Sequence, residues 1–315
     1  MNGLEPVLII IGLLIFFLVM GYILYLSIEL RKIEYIIKVN SLTFYKAFSS
    51  LKSRKQRHAV YAVYAFCRYA DDLADEYKDE LGLIRLKEQL DDYKKRKTAN
   101  TLVFRALKRY TRSFYPSDYD YEPFYRMIEG QINDIHFKDI ETLEELYTYC
   151  DLVAGTVGQM LLPVLSPTNY KELNDFAIGL GRGMQITNIL RDIKEDKIKN
   201  KRVYLPKTML DAYGYHRKDI DHSVINEPFI ELFKSLSKIA YDSYQQALDQ
   251  LNRFESDITK PLGLAIVLYR GILDKAILMN YDVYSCRIVL NNQEKREKVE
   301  QFLQSIKGEK ENVRE

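Results

Sequence analysis

The chain has 315 residues, 47% of them hydrophobic and 29% charged, with a formal net charge of +2. That composition belongs to an ordered globular protein with apolar material for a large core, and it excludes a disordered or collagen-like chain. The near-neutral balance, without basic runs interleaved with aromatics, gives no sign of a nucleic-acid partner. Cys67, Cys150 and Cys286 are widely spaced, with no CxxC and no histidine in a ligand pattern, which argues against zinc and a disulfide framework. The four histidines (His58, His136, His216, His222) pair with no Ser or Cys as a nucleophile would require.

Residues 6–28 carry no charge, a length that spans a hydrocarbon core of about 30 Å. Glu5 precedes this run while Arg31 and Lys32 follow it, so the basic flank places the C-terminal side in the cytoplasm. A cleaved signal peptide would need a basic leading segment, a shorter apolar core and a small-residue cleavage site, and these are missing. Residues 1–32 are therefore expected to form a single-pass cell-membrane anchor in contact with lipid. Residues 33–290 are expected to form one all-α domain: the windows 57–97, 122–136, 142–165, 170–199 and 229–256 repeat apolar positions at three- and four-residue steps. Breaks are expected at Pro116, Pro163, Pro167, Pro206, Pro228 and Pro261. Residues 291–315 are strongly charged and are expected to fray or stay disordered.

Two polar stripes stand out on the predicted helices. Tyr64, Arg68, Asp71 and Asp75 follow steps of four, three and four and share one face. Two carboxylates one turn apart repel, and a cation held with a partner's phosphates removes that penalty. Gln185, Asn188, Asp192 and Asp196 form the second stripe, an oxygen-ligand set with Arg191 beside it for a phosphate fork. A solvated acidic face has the same spacing; Tyr64, Phe66, Cys67 and Tyr69 around the first stripe argue against it. Between the stripes, Ala154, Gly155 and Gly158 put small residues on a helix, where Gly is about 1 kcal/mol worse than Ala. Something must approach closely there, and a neighbouring helix is the simplest candidate.

The segments YAVYAFCRYADDLAD (61–75), YCDLVAGTVG (149–158), GLGRGMQITNILRDIKED (179–196), KRVYLP (201–206) and NYDVYSCRIVL (280–290) together resemble the squalene and phytoene synthase family, over roughly residues 38–290. The resemblance implies an isoprenoid-synthase-type helical bundle. It implies that Asp71, Asp75, Asn188, Asp192 and Asp196 bind Mg²⁺, more than one ion, and that the four acids among them are catalytic together with Tyr149. Ser41, Thr43, Tyr64, Arg68, Gln185, Arg191, Tyr269 and Arg287 would contact substrate, with Ala154, Val157 and Gly158 on a tunnel wall beside an isoprenoid tail. Ser41 and Thr43 read equally well as helix caps. Asn40 stands where related dehydrosqualene synthases have a histidine, and Gln131 also departs from the family pattern. Asp134 is expected to support the site from behind, with Glu129 near it, and the basic loop 197–206 is expected to act as a lid over diphosphates.

The resemblance further implies condensation of two allylic diphosphates, farnesyl or geranylgeranyl, through a cyclopropylcarbinyl diphosphate to dehydrosqualene or phytoene. NADPH is not expected, and a downstream carotenoid desaturase is an expected partner. Three other readings stay open: a reductive squalene synthase or a farnesyl diphosphate phosphatase on the same fold, and a non-catalytic membrane scaffold. The literal DDxxD of Asp71-Asp72-x-x-Asp75 also occurs in chain-elongating prenyl transferases and terpene cyclases, but NILRDIKED lacks the second motif that either needs.

Overall fold

The computed structural model describes residues 4–97 and 101–312, with side chains over 8–97 and 101–306. Residues 1–3 of the expected anchor and 313–315 of the expected tail lie outside the described residues. Among those described the regular structure is helical and no strand occurs, so the all-α expectation holds.

Helix α1 (Leu4–Asn40) runs without a break from the apolar stretch into the body. No residue in its window of highest hydropathy is buried. Further on, Ile33 and Ile37 are fully buried in the core, so position 32 marks no structural boundary. A second helical stretch long and apolar enough to cross a membrane, Leu143–Leu165, is half buried and belongs to the core.

After the short α2 (Leu42–Ser49) comes α3 (Arg54–Asp75), capped by Ser53, whose hydroxyl accepts from the Gln56 amide. The window 57–97 is not one helix. It breaks after Asp75 without Pro or Gly: Lys78 adopts a left-handed φ of 49°, and the Asp79 carboxylate caps α4 (Glu80–Lys94). Then follow α5 (Leu102–Tyr110), α6 (Glu122–Ile135) and α7 (Leu143–Cys150). A π-helical turn over Asp151–Gly155 leads into α8 (Thr156–Leu165).

Helix α9 (Asn174–Glu195) is central and packs against α12 (Glu227–Asp249), α8 and α13 (Ser256–Leu278). Helix α3 lies across the bundle and contacts α1, α5, α6 and α8. Between α9 and α12 lie a second π-turn (Asp196–Asn200), α10 (Lys207–Tyr213) and α11 (Arg217–Asp221).

The charged end does not fray where it is described. It forms α14 (Asn292–Asn312), which docks on α13. Phe302 lies over Gly263 so closely that a Cβ there would overlap the ring, and Lys298–Asp274 and Lys275–Glu294 ion pairs flank the contact. Val299 and Ile306, half-buried against the core, join Phe302 in seating a helix whose other faces are polar.

Candidate active site

Helices α3, α8, α9 and α13, with the α1–α2 junction and residues 287–290, enclose a cavity of about 620 Å³. Along α9, Phe176, Leu180, Met184, Asn188 and Arg191 line it, a track of about 22 Å at 1.5 Å per residue. One end is apolar, with Leu165, Phe176, Phe254 and Leu262. The other end carries Arg68, Asp71, Gln185, Asn188, Arg191 and Arg287.

Most residues expected at substrate reach this cavity: Ser41, Thr43, Tyr64, Arg68, Asp71, Ala154, Val157, Gly158, Gln185, Asn188, Arg191, Tyr269 and Arg287 all line it. The cap reading of Ser41 holds, since its hydroxyl accepts from the Phe44 amide at 3.4 Å while the residue also lines the cavity. Both readings of the small residues hold as well. A Cβ on Gly158 would sit 2.9 Å from the Ala177 carbonyl, and one on Gly181 would meet the Ala154 backbone at 2.6 Å. Close contact between α8 and α9 thus requires glycine on each helix, and the same contact forms one wall of the cavity. Asn40 also lines the cavity, with its side-chain amide donating to the Ile36 carbonyl at 2.9 Å.

Asp75, Tyr149, Asp192 and Asp196 do not line the cavity wall. No group of three His, Cys, Asp or Glu residues converges as a ready metal cage among the described residues. Arginines hold the acids instead. Arg68 donates to Asp71 at 3.2 Å and pairs with Asp72. Arg191 Nε donates to Asp192 Oδ1 at 2.8 Å, and Arg287 Nη2 donates to Asp192 Oδ2 at 3.1 Å. Arg202 Nη1 donates to Asp75 Oδ1 at 2.6 Å.

The two stripes nevertheless feel each other. Burial, then the neighbouring Asp75, pushes the Asp71 carboxyl up to about 7 against the pull of Arg68. Burial also pushes Asp196 up to about 7, with Asp192, Asp75 and Asp134 adding repulsion. Asp196 is therefore within electrostatic reach of both stripes.

Arg202 escaped the sequence reading. It is 3% exposed and donates to the Asp134 carbonyl at 2.7 Å and to Tyr204 Oη at 3.1 Å as well as to Asp75. Asp134, buried and raised to about 6 by that burial, accepts from Tyr149 Oη and Tyr204 Oη, each at 3.2 Å. The Tyr149 and Tyr204 rings stack with centroids 4.7 Å apart. Asp134 is thus tied to Tyr149, Tyr204 and Arg202, none of which lines the cavity, whereas Glu129 faces solvent and Gln131 is buried away from the cavity. Residues 202–206 are buried in the body and do not line the cavity, so this half of the expected lid is packed in place; the exposed part is 198–199 and 201. The basic character of the loop gave a signal, but it pointed outward to phosphate rather than inward to Asp75.

Burial pushes the Tyr64 hydroxyl and the Cys67 and Cys150 thiols above their usual ranges, so all three stay protonated near neutrality. The site therefore offers no thiolate nucleophile from these residues. It combines a long apolar chamber with an end rich in carboxylates and guanidiniums.

Comparison with known proteins places this geometry. The sequence profile described as squalene/phytoene synthase matches residues 37–297. The chain is 30% identical over 253 residues to a 4,4'-diapophytoene synthase of Staphylococcus haemolyticus, covering 79% of this chain and 87% of that protein. It is 32% identical over 269 residues to a 15-cis-phytoene synthase of Synechococcus elongatus, covering 78% and 82% respectively. A crystal structure of a dehydrosqualene synthase in complex with a ligand superposes with a TM-score of 0.83 at 33% identity, over 90% of this chain and 98% of that one. The chain belongs to the squalene/phytoene synthase family.

Proposed function

We propose that this chain is a prenyltransferase that joins two allylic isoprenoid diphosphates head to head, giving a dehydrosqualene- or phytoene-type hydrocarbon for carotenoid synthesis. The observation that carries this reading is the two-ended cavity: an apolar track along α9 that ends on Arg68, Asp71, Asn188, Arg191 and Arg287. Its ends match an isoprenoid tail and a diphosphate head. The family and the names of the relatives supply the reaction class.

The acid stripes fit a hard cation, because burial and mutual repulsion raise Asp71 and Asp196 where an added positive charge would relieve both. Asp71, Asp75, Asn188, Asp192 and Asp196 would hold Mg²⁺, which when bound neutralises the diphosphate so that it can depart as pyrophosphate. Arg68, Arg191 and Arg287 grip the diphosphates, with the Ser41 and Thr43 hydroxyls at the rim. One C–O bond breaks, and the 2,3 double bond of the second substrate attacks the resulting allylic C1. Ring closure releases a proton to the departed pyrophosphate and leaves a cyclopropylcarbinyl diphosphate. Loss of its diphosphate, ring opening and loss of a second proton give the 1-1′ linked product without a reductant, so NADPH has no role.

Leu161, Phe176 and Leu180 exclude the water that would trap the cation as an alcohol. Helix α1 anchors the chain in a membrane, its 0% buried apolar window in lipid and its basic flank on the cytoplasmic side. Such an anchor suits an enzyme whose product is a hydrocarbon, and hands that product to a membrane-bound desaturase.

The test is incubation with Mg²⁺ and farnesyl or geranylgeranyl diphosphate, without and with NADPH, followed by lipid extraction. A C30 or C40 hydrocarbon formed without NADPH supports the reading. Farnesol alone, or squalene formed only with NADPH, would replace it.

A further inference from the structure

The wall that α2 and α13 give to the cavity has a second concavity beside it. Phe44 and Phe48 of α2, with Leu262 and Tyr269 of α13, face the cavity. On the adjoining faces of the same helices, Lys46, Ala47, Leu264 and Leu268 meet the first turns of α14 across a groove of about 380 Å³. Small-molecule sites occupy about 300–1,000 Å³, so the groove is large enough for a ligand.

Its floor is apolar: Ala47, Leu264 and Leu268, with Val299 beside them. Its rim is cationic: Lys46, Lys295 and Arg296 line it, with Glu300 the one acid among the described residues that do so. None of the three cations forms an ion pair among the described residues, although α14 pairs Lys298 with Asp274 and Glu294 with Lys275. Burial, then the charge of Lys46, pushes the Lys295 ammonium below its usual range. Positive charge therefore collects over an apolar floor, and an anion bound there removes the repulsion.

Lys295 also lines the cavity, whose lining it shares with Ser41 and Arg287. The groove and the cavity therefore adjoin at this side chain. Along α14 the groove runs from Asn292 to Val299, about 10 Å. That length takes a diphosphate and the first isoprene unit of a tail, whatever the length of the rest. A phosphate alone would leave the apolar floor bare, whereas an allylic diphosphate covers both the floor and the cations.

Resting on the reading of the cavity as a prenyl diphosphate site, we propose that the groove between α2 and α14 is a reception site for the same class of substrate. The diphosphate lies on Lys46, Lys295 and Arg296, and the first isoprene unit lies on Leu264 and Leu268. Each turnover consumes two substrates, so a molecule held beside the cavity refills it as pyrophosphate and hydrocarbon leave. Lys295 reaches both spaces, and the head moves between them without giving up its last cation.

The full-length protein in phosphatidylcholine nanodiscs tests this by equilibrium binding of labelled farnesyl thiodiphosphate, whose bridging sulfur keeps it from ionising, with empty discs subtracted. The parent should bind one molecule beyond the pair in the cavity. Lys46→Glu and Arg296→Glu change exposed side chains outside the cavity lining; each should weaken that extra site by about tenfold or more and keep the pair. In turnover of farnesyl diphosphate the same variants should lose kcat/KM several-fold with kcat at saturation unchanged. Lys87→Glu, on the exposed face of α4, should change neither and so separates the groove from the overall field of the protein. No extra molecule on the parent, or an extra site of parental affinity in both variants, would overturn the reception site while hydrocarbon formation by the parent keeps the reading of the cavity. An extra site that free pyrophosphate fills as tightly as the thiodiphosphate would overturn the isoprenoid occupant. A parent that binds none and forms no hydrocarbon would remove the reading of the cavity, and the reception site with it.

Discussion

Two glycines on α9, two residues apart, should respond oppositely to the same substitution. A Cβ on Gly181 would meet the Ala154 carbonyl carbon and oxygen and the Gly155 nitrogen, all at 2.6 Å. These are backbone atoms, so Gly181→Ala must push the Asp151–Gly155 π-turn away from α9. Overpacking of this kind costs about 3 kcal/mol at the upper end of its usual range, and the better helix propensity of Ala returns about 1 kcal/mol. The net loss of about 2 kcal/mol lowers Tm by about 3 °C in a chain of this size. Gly179 has no atom within 4 Å of its would-be Cβ, so Gly179→Ala keeps the propensity gain and raises Tm by about 1–2 °C. Because Ala154 and Gly181 both line the cavity, Gly181→Ala also lowers kcat/KM, whereas Gly179→Ala does not. Thermal unfolding of the two purified variants against the parent is the assay. A stabilised Gly181→Ala variant would refute the close packing of α9 on the Asp151–Gly155 π-turn and with it the shape of this part of the cavity wall.

Further outcomes follow from the polar network. Arg202→Gln strands Asp134 and weakens the hold on Asp75, for a loss of about 3 kcal/mol and a fall in Tm of about 4–5 °C; added Mg²⁺ should recover part of it, measured by thermal unfolding with and without the metal. Asp71→Asn should lower kcat/KM by at least about 100-fold in a steady-state assay without lowering Tm, because it removes a charge that burial and Asp75 already disfavour. Asp134 titrates near 6 in the folded protein, above the usual carboxylate range, so its charged form penalises folding as pH rises from about 4 to 6. Asp134→Asn removes that penalty, and the Tm of the variant relative to the parent should climb across the same window in a pH series.

Part of the cavity wall was legible because helical spacing is short-range. Tyr64, Arg68 and Asp71, or Gln185 and Asn188, declare a common face through steps of three and four, whereas Asp75, Asp192 and Asp196 on the same stripes do not reach the wall. Arg202 could not be read that way. It meets Asp75 across 127 residues of sequence, and a lysine- and arginine-rich loop looks solvated until its neighbours are in place. The break after Asp75 carried no Pro or Gly and depended on the Asp79 cap and a left-handed Lys78. Helix α14 was hidden for a related reason: its apolar face is narrow, Phe302 in the Gly263 notch with Val299 and Ile306 beside it, set among charges. At the other end, counting uncharged residues set the limit of the apolar run at Ile28, but Tyr22 and Tyr25 within it face Arg109 and Arg105 of α5, contacts that no count along the chain reveals.

The claim at the centre of this account is the head-to-head bond. The most direct measurement is turnover of farnesyl diphosphate carrying ¹³C at C1, with Mg²⁺ and without NADPH, followed by carbon NMR of the extracted hydrocarbon. Joining C1 of one substrate to C1 of the other predicts two adjacent labelled carbons with one-bond ¹³C–¹³C coupling. Labelled farnesol, or a chain-elongated product in which no two labelled carbons are bonded, would contradict it.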